Sequence, residues 1–367
     1  MSGMIRRLYR GETNIQFIKH RKRWYLASLI LIVICTFSFV FRGFNVGVEF
    51  AGGTQYRIQV SGTSVTTGDV STAFAKANAT LQGAPYYAGS GASRQIVVTL
   101  AKESSGVEQT ITKSVARDLH LAPTLLNPQF VSSSWGHDIT VKAVEGLIVF
   151  LIVVSIYIAI RFQWRMAVGG IVALIHDLLI AAGIYSLVGF EVTPSTIVGL
   201  LTILGFSLYD TVVVYDKVAE NSRDLLAGSR MTFSDAANLA VNQTLMRSIN
   251  TSLIALLPVA GLLFVGAGVL GVGTIKDLAL ILFVGLASGA YSSLFLATPI
   301  VVDLTERAPE YKALTKRVVA KRSSEARRAA ENAELAAAGV TPTRPPRRSG
   351  GPAPAPKPGA RPQRRKR

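Results

Sequence analysis

Thr196-Ile-Val-Gly-Leu-Leu-Thr-Ile-Leu-Gly-Phe-Ser-Leu-Tyr-Asp-Thr-Val-Val-Val-Tyr215 is apolar along almost its whole length and carries one charged residue, Asp210. A helix of about 20 such residues spans the roughly 30 Å hydrocarbon core of a bilayer. An ionised carboxylate there costs between about 3 and more than 10 kcal/mol, so such a residue faces a bundle interior and often marks an ion or proton pathway. This stretch decides both the solvent in which the chain folds and the first candidate functional residue.

Five more segments have the same character, giving crossings near Trp24 to Phe41, Val144 to Ile160, Met166 to Leu187, Thr196 to Tyr215, Leu253 to Leu270 and Leu278 to Val302. The lone Cys35 rules out a disulfide within the chain. Ile34 precedes that cysteine where lipoprotein processing needs a small side chain, and no small-x-small cleavage site follows, so the first crossing reads as an uncleaved anchor.

Short loops rich in Lys and Arg stay in the cytoplasm. Arg6, Arg7, Arg10, Lys19, Arg21, Lys22 and Arg23 precede the first crossing and place the amino terminus, residues 1–23, inside. Residues 43–140 then lie outside, and residues 142–305 hold crossings two to six. Arg161 and Arg165 flank an inside turn, Phe190-Glu-Val-Thr193 turns outside, Lys217 to Arg247 forms an inside loop, and Gly266 to Thr274 turns outside again. Both termini are thus cytoplasmic, in a multi-pass membrane protein.

The outside segment suffices for one small α+β domain. Tyr56, Ile58 and Val60 alternate with Gln55, Arg57 and Gln59, the period of a half-buried strand. A helix is expected over about Asp69 to Leu81, stopped by Gly83, then a strand over Gln95 to Leu100, a helix over Val107 to Leu119 and a strand over Gln129 to Ser133. His120 and His137 are isolated and read as surface histidines, with no metal-ligand spacing. Residues 306–367 carry most of the +17 formal charge, with many prolines and few apolar residues. That composition predicts disorder beyond a short helix near Ser323 to Ala338. The tail reads as attracted to anionic lipid headgroups, with ribosomal RNA or a cytoplasmic protein as the alternatives. No aromatic residue is interleaved with the basic ones after Tyr311, so specific nucleic-acid binding has no support.

Three stretches together resemble the SecF family of protein-export membrane proteins: Phe44-Asn-Val-Gly-Val-Glu-Phe-Ala-Gly-Gly-Thr54, Arg161-Phe-Gln-Trp164, and Gly205-Phe-Ser-Leu-Tyr-Asp-Thr-Val-Val-Val-Tyr-Asp-Lys217. Ile175-His-Asp177 and Asn242 to Ser252 follow that family's order. The resemblance covers about residues 15 to 305 and rests on Gly47, Glu49, Phe50, Gly52, Gly53, Arg161 and Trp164 as motif positions. Glu49 departs from it, standing where the family usually has Asp. What the resemblance implies is an accessory subunit of the Sec translocase. It would act with a SecD-like subunit and the translocation channel to promote export of polypeptide with energy from the proton gradient, on half of a resistance-nodulation-division architecture.

Depth counting supplies candidates for that coupling. Asp210 lies about 10 Å deeper than Lys217, and Arg247 begins the fifth crossing from the same side, so the two can pair if their helices are neighbours. His176 and Asp177 lie about 16 to 18 Å from Arg165, near mid-membrane. Asp210 is the expected proton carrier, because a guanidinium stays charged. His176 and Asp177 are further relay candidates, against helix-to-helix packing as the plain alternative. A structural salt bridge is the plain reading of Asp210, and snorkelling that of Arg247. No Walker pattern, Gly-x-Ser-x-Gly or metal-spaced His/Cys set is present, so the sequence implies neither an enzyme nor a cofactor. A half-unit of a small-molecule or lipid exporter and a passive assembly factor remain the competing functions.

Overall fold

The computed structural model describes residues 15–88, 94–100, 105–228, 230–269 and 273–337. Arg6, Arg7, Arg10, the apex of the 266–274 turn and the tail beyond 337 lie outside the described residues. A short 3-10 turn, Ile18–His20, opens into α1 (Arg21–Phe41), followed by β1 (Asn45–Val46) and α2 (Val48–Ala51). The small domain comprises β2 (Gly53–Gln59), α3 (Thr67–Lys76), β3 (Tyr86–Ala88), β4 (Gln95–Leu100), α4 (Ser105–Asp118) and β5 (Leu126–Val131). Then come α5 (Ser133–Arg161), α6 (Trp164–Val188), β6 (Glu191–Val192), α7 (Pro194–Asn221) and α8 (Phe233–Gly261), the last continuing into a π-turn at Leu262–Val269. The chain ends with α9 (Gly273–Ser292), a second π-turn at Ser293–Ala297, α10 (Thr298–Glu306) and α11 (Pro309–Ala337). Among the described residues, six helical segments are long and apolar enough to cross a membrane, the third, fourth and sixth being the most buried by their neighbours.

The four strands form one antiparallel sheet in the order β3-β4-β2-β5. The expected alternation holds: Tyr56, Ile58 and Val60 are buried in one core with Val70 and Phe74 of α3, Ile96, Val98 and Leu100 of β4, and Ile111 and Val115 of α4. Thr66 caps α3 reciprocally with Asp69, each satisfying a backbone N–H of the other. The helix ends at Lys76, and Asn78, in the left-handed region at φ 56°, turns the chain before the Gly83 stop expected from the sequence.

Three boundaries move. The second crossing starts eleven residues before the expected Val144, because Ser132 caps the helix by accepting the Trp135 N–H, so residues 133–140 belong to α5 and not to the domain. Residues 233–247, expected in a loop, form the first turns of α8, opened by a Thr232–Asp235 capping box. Phe190 to Thr193, expected as a plain turn, contains a strand: β6 pairs in parallel with β1, Asn45 opposite Glu191 and Val46 opposite Val192. A two-residue parallel ladder leaves no periodic signal, so only tertiary structure reveals it.

The tail also differs. Its helix begins at Pro309, fourteen residues before the expected Ser323, because Leu314 and Val318 bury against Leu225 and Ala236. Arg322 adds an ion pair to Asp235 at 2.6 Å. From Ser323 onward the described side chains are exposed, which is the part the sequence reading placed in helix.

Bundle packing depends on missing side chains, since small residues let membrane helices approach closely. A β-carbon on Gly183 of α6 would fall on Cys35 of α1, and one on Gly285 of α9 would fall on Ile203 of α7. One turn further, a β-carbon on Gly289 would lie 3.0 Å from Ser207 Cβ. These glycines press α9 onto α7 where the buried polar residues lie.

Candidate functional site

Asp177 of α6 and Asp210 of α7 are 1% and 3% exposed, in the middle of an otherwise apolar bundle. Serine hydroxyls surround both. Asp177 accepts hydrogen bonds from Ser288 (2.7 Å) on one oxygen and from Ser207 and Ser292 (2.6 Å each) on the other. His176 Nδ1 lies 3.1 Å from the first oxygen, and its Nε2 is buried with no hydrogen-bond partner among the described residues. Asp210 accepts from Ser248 of α8 at 2.8 Å and from Ser293 at 2.5 Å.

Local helix geometry explains the set. Ser288 and Ser292 are four residues apart and share one face of α9, which meets Asp177. Ser293 follows about 100° further round the helix and therefore reaches the other carboxylate. Ser207, one turn before Asp210 on α7, crosses to Asp177 because Gly289 leaves room beside it. One dipeptide, Ser292-Ser293, thus serves both carboxylates.

The expected Asp210 to Arg247 pair does not form in this structure. Arg247 sits one residue before Ser248, on the exposed side of α8, and donates instead to Tyr209 Oη at 3.2 Å. Adjacent helical residues point about 100° apart, so when Ser248 faces Asp210, Arg247 cannot. Among the described residues, neither carboxylate has a Lys or Arg within ion-pair distance. The sequence does not single these serines out, because a lone serine in an apolar helix carries little signal. The available signal was three serines at 288, 292 and 293 on one crossing.

The motif positions from Gly47 to Gly53 gather where the domain meets the bundle. Gly47 donates its N–H to the Val192 carbonyl at 2.9 Å, and a side chain there would strike Glu49 Oε2 and Val192 O. Gly52 (φ 72°) and Gly53 (φ 132°) adopt backbone that side chains disfavour, and Gly53 passes against the Leu100 carbonyl. The Phe50 carbonyl lies against Gly136 of α5. At the opposite end of the bundle Arg161 pairs with Asp216 at 2.9 Å, while Trp164 is exposed with Arg165 over its ring. Lys276 covers the Phe190 ring at 3.9 Å.

Glu191, in the segment read as a turn, is the junction's central residue. It accepts from Tyr86 Oη at 2.6 Å and from Gln55 Nε2 at 3.3 Å, tying β3 and β2 of the domain to the bundle. Glu49 stands close by: a β-carbon on Gly47 would lie 2.7 Å from Glu49 Oε2 and 3.3 Å from Glu191 Oε1. Burial pushes the Glu191 carboxyl above its ordinary range and Glu49 pushes the same way, while the Tyr86 hydrogen bond and Arg57 oppose them. A carboxyl whose native pKa is raised contributes stability below its unfolded value, about 4.3, and loses it as pH rises through the native value. Glu191→Gln is therefore expected to be more heat-stable than wild type at pH 8, with the gap closing at pH 5. Melting curves in detergent at the two pH values measure this.

The fold and site define a class: polytopic membrane proteins with buried carboxylates in the bundle and a small α+β domain after the first crossing. Residues 110–307 match the model for the C-terminal region of SecD/SecF protein-export membrane proteins, and residues 37–64 match the SecD/SecF GG motif. The chain belongs to the SecD/SecF family. It is 46% identical over 338 residues to the protein translocase subunit SecF of Streptomyces coelicolor, covering 90% of this chain and 87% of that one. The SecF of Mycobacterium tuberculosis is 42% identical over 329 residues, 87% of this chain and 74% of that one. The crystal structure of SecDF from Thermus thermophilus superposes with a TM-score of 0.70 at 29% identity, covering 81% of this chain and 39% of the SecDF chain. In that relative the SecF-like part is thus fused to a longer protein. This chain is an accessory subunit of the Sec translocase that partners a SecD subunit.

Proposed function

We propose that this subunit, with both termini in the cytoplasm and its α+β domain outside, couples proton entry across the bacterial cytoplasmic membrane to outward movement of exported polypeptide. The observation that carries this reading is the pair of buried carboxylates, Asp177 and Asp210, held by hydroxyls and, among the described residues, without a Lys or Arg within ion-pair distance. A serine hydroxyl donates to a carboxylate and accepts from a carboxylic acid, so this cage fits both protonation states without exchanging partners. Asp210 is the proton carrier. Asp177 and His176 form the deeper part of the relay, and His176 Nε2 offers a free ring position for a second proton exchange. Arg247, on the exposed side of α8 beside Tyr209, faces the SecD subunit and acts on Asp210 from there when the helices shift. One elementary charge crossing 100 mV supplies about 2.3 kcal/mol, enough to bias two conformations separated by a few kcal/mol.

The exported chain is handled by the outside domain, and the translocation channel lies beside the bundle. The basic tail is drawn to anionic lipid headgroups. Vesicles holding this chain, its SecD partner and the channel test the coupling. Export begun by the translocation motor is expected to finish faster under an imposed proton gradient, acid on the domain side, and to lose that gain with a protonophore. An unchanged rate after the gradient collapses would reduce the subunit to a passive assembly factor, and dependence on a sodium gradient would replace the ion.

A further inference from the structure

Ser293 begins the π-turn of the sixth crossing, and the cause of that turn is six residues further on. Pro299 has no N–H for the Phe295 carbonyl and its ring crowds that oxygen, so the helix widens over Ser293–Ala297. Thr298 Oγ1 compensates by donating to the Ser293 carbonyl at 3.3 Å. Ser292 and Ser293 are both fully buried at this junction of α and π geometry.

Each hydroxyl there has two acceptors. Ser293 Oγ lies 2.5 Å from Asp210 Oδ2 and 3.3 Å from the Ala290 carbonyl of its own helix. Ser292 Oγ lies 2.6 Å from Asp177 Oδ2 and 3.3 Å from the Gly289 carbonyl. A hydroxyl proton occupies one direction at a time. While Asp210 is an anion, the short contact takes the Ser293 proton. When Asp210 binds a proton on Oδ2, that oxygen becomes the donor, Ser293 Oγ becomes the acceptor, and the Ser293 proton turns to the Ala290 carbonyl. No covalent bond of Ser293 breaks; one proton is added to Asp210 and one hydroxyl rotates. Back-bonding of a serine to a carbonyl three or four residues earlier bends a helix, and here the bend falls where the helix is already widened.

We propose that Ser293 is a positioning residue that converts protonation of Asp210 into bending of the sixth crossing between α9 and α10. This rests on the proton-relay reading of Asp210, and its test separates the two.

The experiment uses the full chain with its SecD partner in membranes, with spin labels at Ala287 and Leu304 on either side of the π-turn and Cys35→Ala as background. The label distance is expected to differ between pH 5 and pH 8 by about 2 Å, the scale of helix shifts in switching proteins. Asp210→Asn should hold the acid-side distance at both pH values. Ser293→Ala should abolish the pH-dependent change and lower proton-driven export at least tenfold, and Ser293→Thr, which keeps the hydroxyl, should restore both. If Ser293→Ala fails to accumulate, Ser293→Cys keeps the volume with a weak donor and, made without labels, is expected to lower proton-driven export as Ser293→Ala should. A full distance change and normal export in the variant lacking the serine hydroxyl would overturn the proposal. If instead Asp210→Asn exports normally under the gradient while its label distance is fixed and the chain with Asp210 intact still shows the Ser293-dependent change, the relay reading fails and the bending device stands.

Discussion

Asp210→Asn is expected to reduce export to the rate seen without a proton gradient, while the subunit still folds and binds its SecD partner. Asparagine matches aspartate in shape, keeps one oxygen to accept from Ser248 or Ser293, and presents an amide to the other hydroxyl. Exchanging one hydrogen-bond partner of this kind costs about 1 kcal/mol, which a packed bundle tolerates. The amide cannot bind and release a proton at physiological pH, so the functional loss should be complete where the structural loss is slight. Proton uptake by vesicles and completion of a stalled export substrate, measured beside co-purification, distinguish the two. Retention of gradient-driven export would remove Asp210 from the relay. Arg247→Met is the informative companion: since Arg247 does not touch Asp210 in this structure, an equal loss would place its action in another conformation.

Asp177→Ala is expected to cause the largest loss of stability. Three serine hydroxyls and His176 Nδ1 converge on this carboxylate. Removing it strands buried donors, at about 1–3 kcal/mol for each unsatisfied group. Ser292 recovers by turning to the Gly289 carbonyl, leaving a net cost on the order of 3–5 kcal/mol. A fall in melting temperature on the order of 10 °C and poor accumulation in membranes should follow. Adding Ser207→Ala and Ser288→Ala to that variant should recover part of the loss, because removing both partners of a buried hydrogen bond is close to neutral. A multiple variant no better than Asp177→Ala would show that the cage is not what holds α6, α7 and α9 together. Asp177→Asn, which keeps an acceptor, should lose far less stability.

Hydropathy period and length made the six crossings legible, and alternation located β2 and β4 within two residues. These signals are local, and each residue's environment follows from its neighbours in the chain. Helix starts were harder. Ser132 and Thr232 cap helices whose first turns are amphipathic, so an apolar window finds them only after the chain has entered hydrocarbon. Depth counting correctly put Asp210 and Asp177 in the bundle, but depth fixes position along a helix and not direction around it. Arg247 was within reach of Asp210 by depth and faces away by rotation, whereas its neighbour Ser248 makes the contact. Glu191 was invisible for a related reason: its partners are 105 and 136 residues away, and nothing in Phe190-Glu-Val-Thr193 announces them.

The short ladder between β1 and β6 binds the domain to the segment that starts α7. From there to Asp210 runs an uninterrupted helix of about 25 Å. Load on the domain is therefore load on the rod that carries the aspartate. If proton binding pulls on the cargo, cargo must pull on proton binding by the same free energy, because thermodynamic coupling has no preferred direction. A jammed polypeptide would then oppose proton binding by itself, without any separate gate.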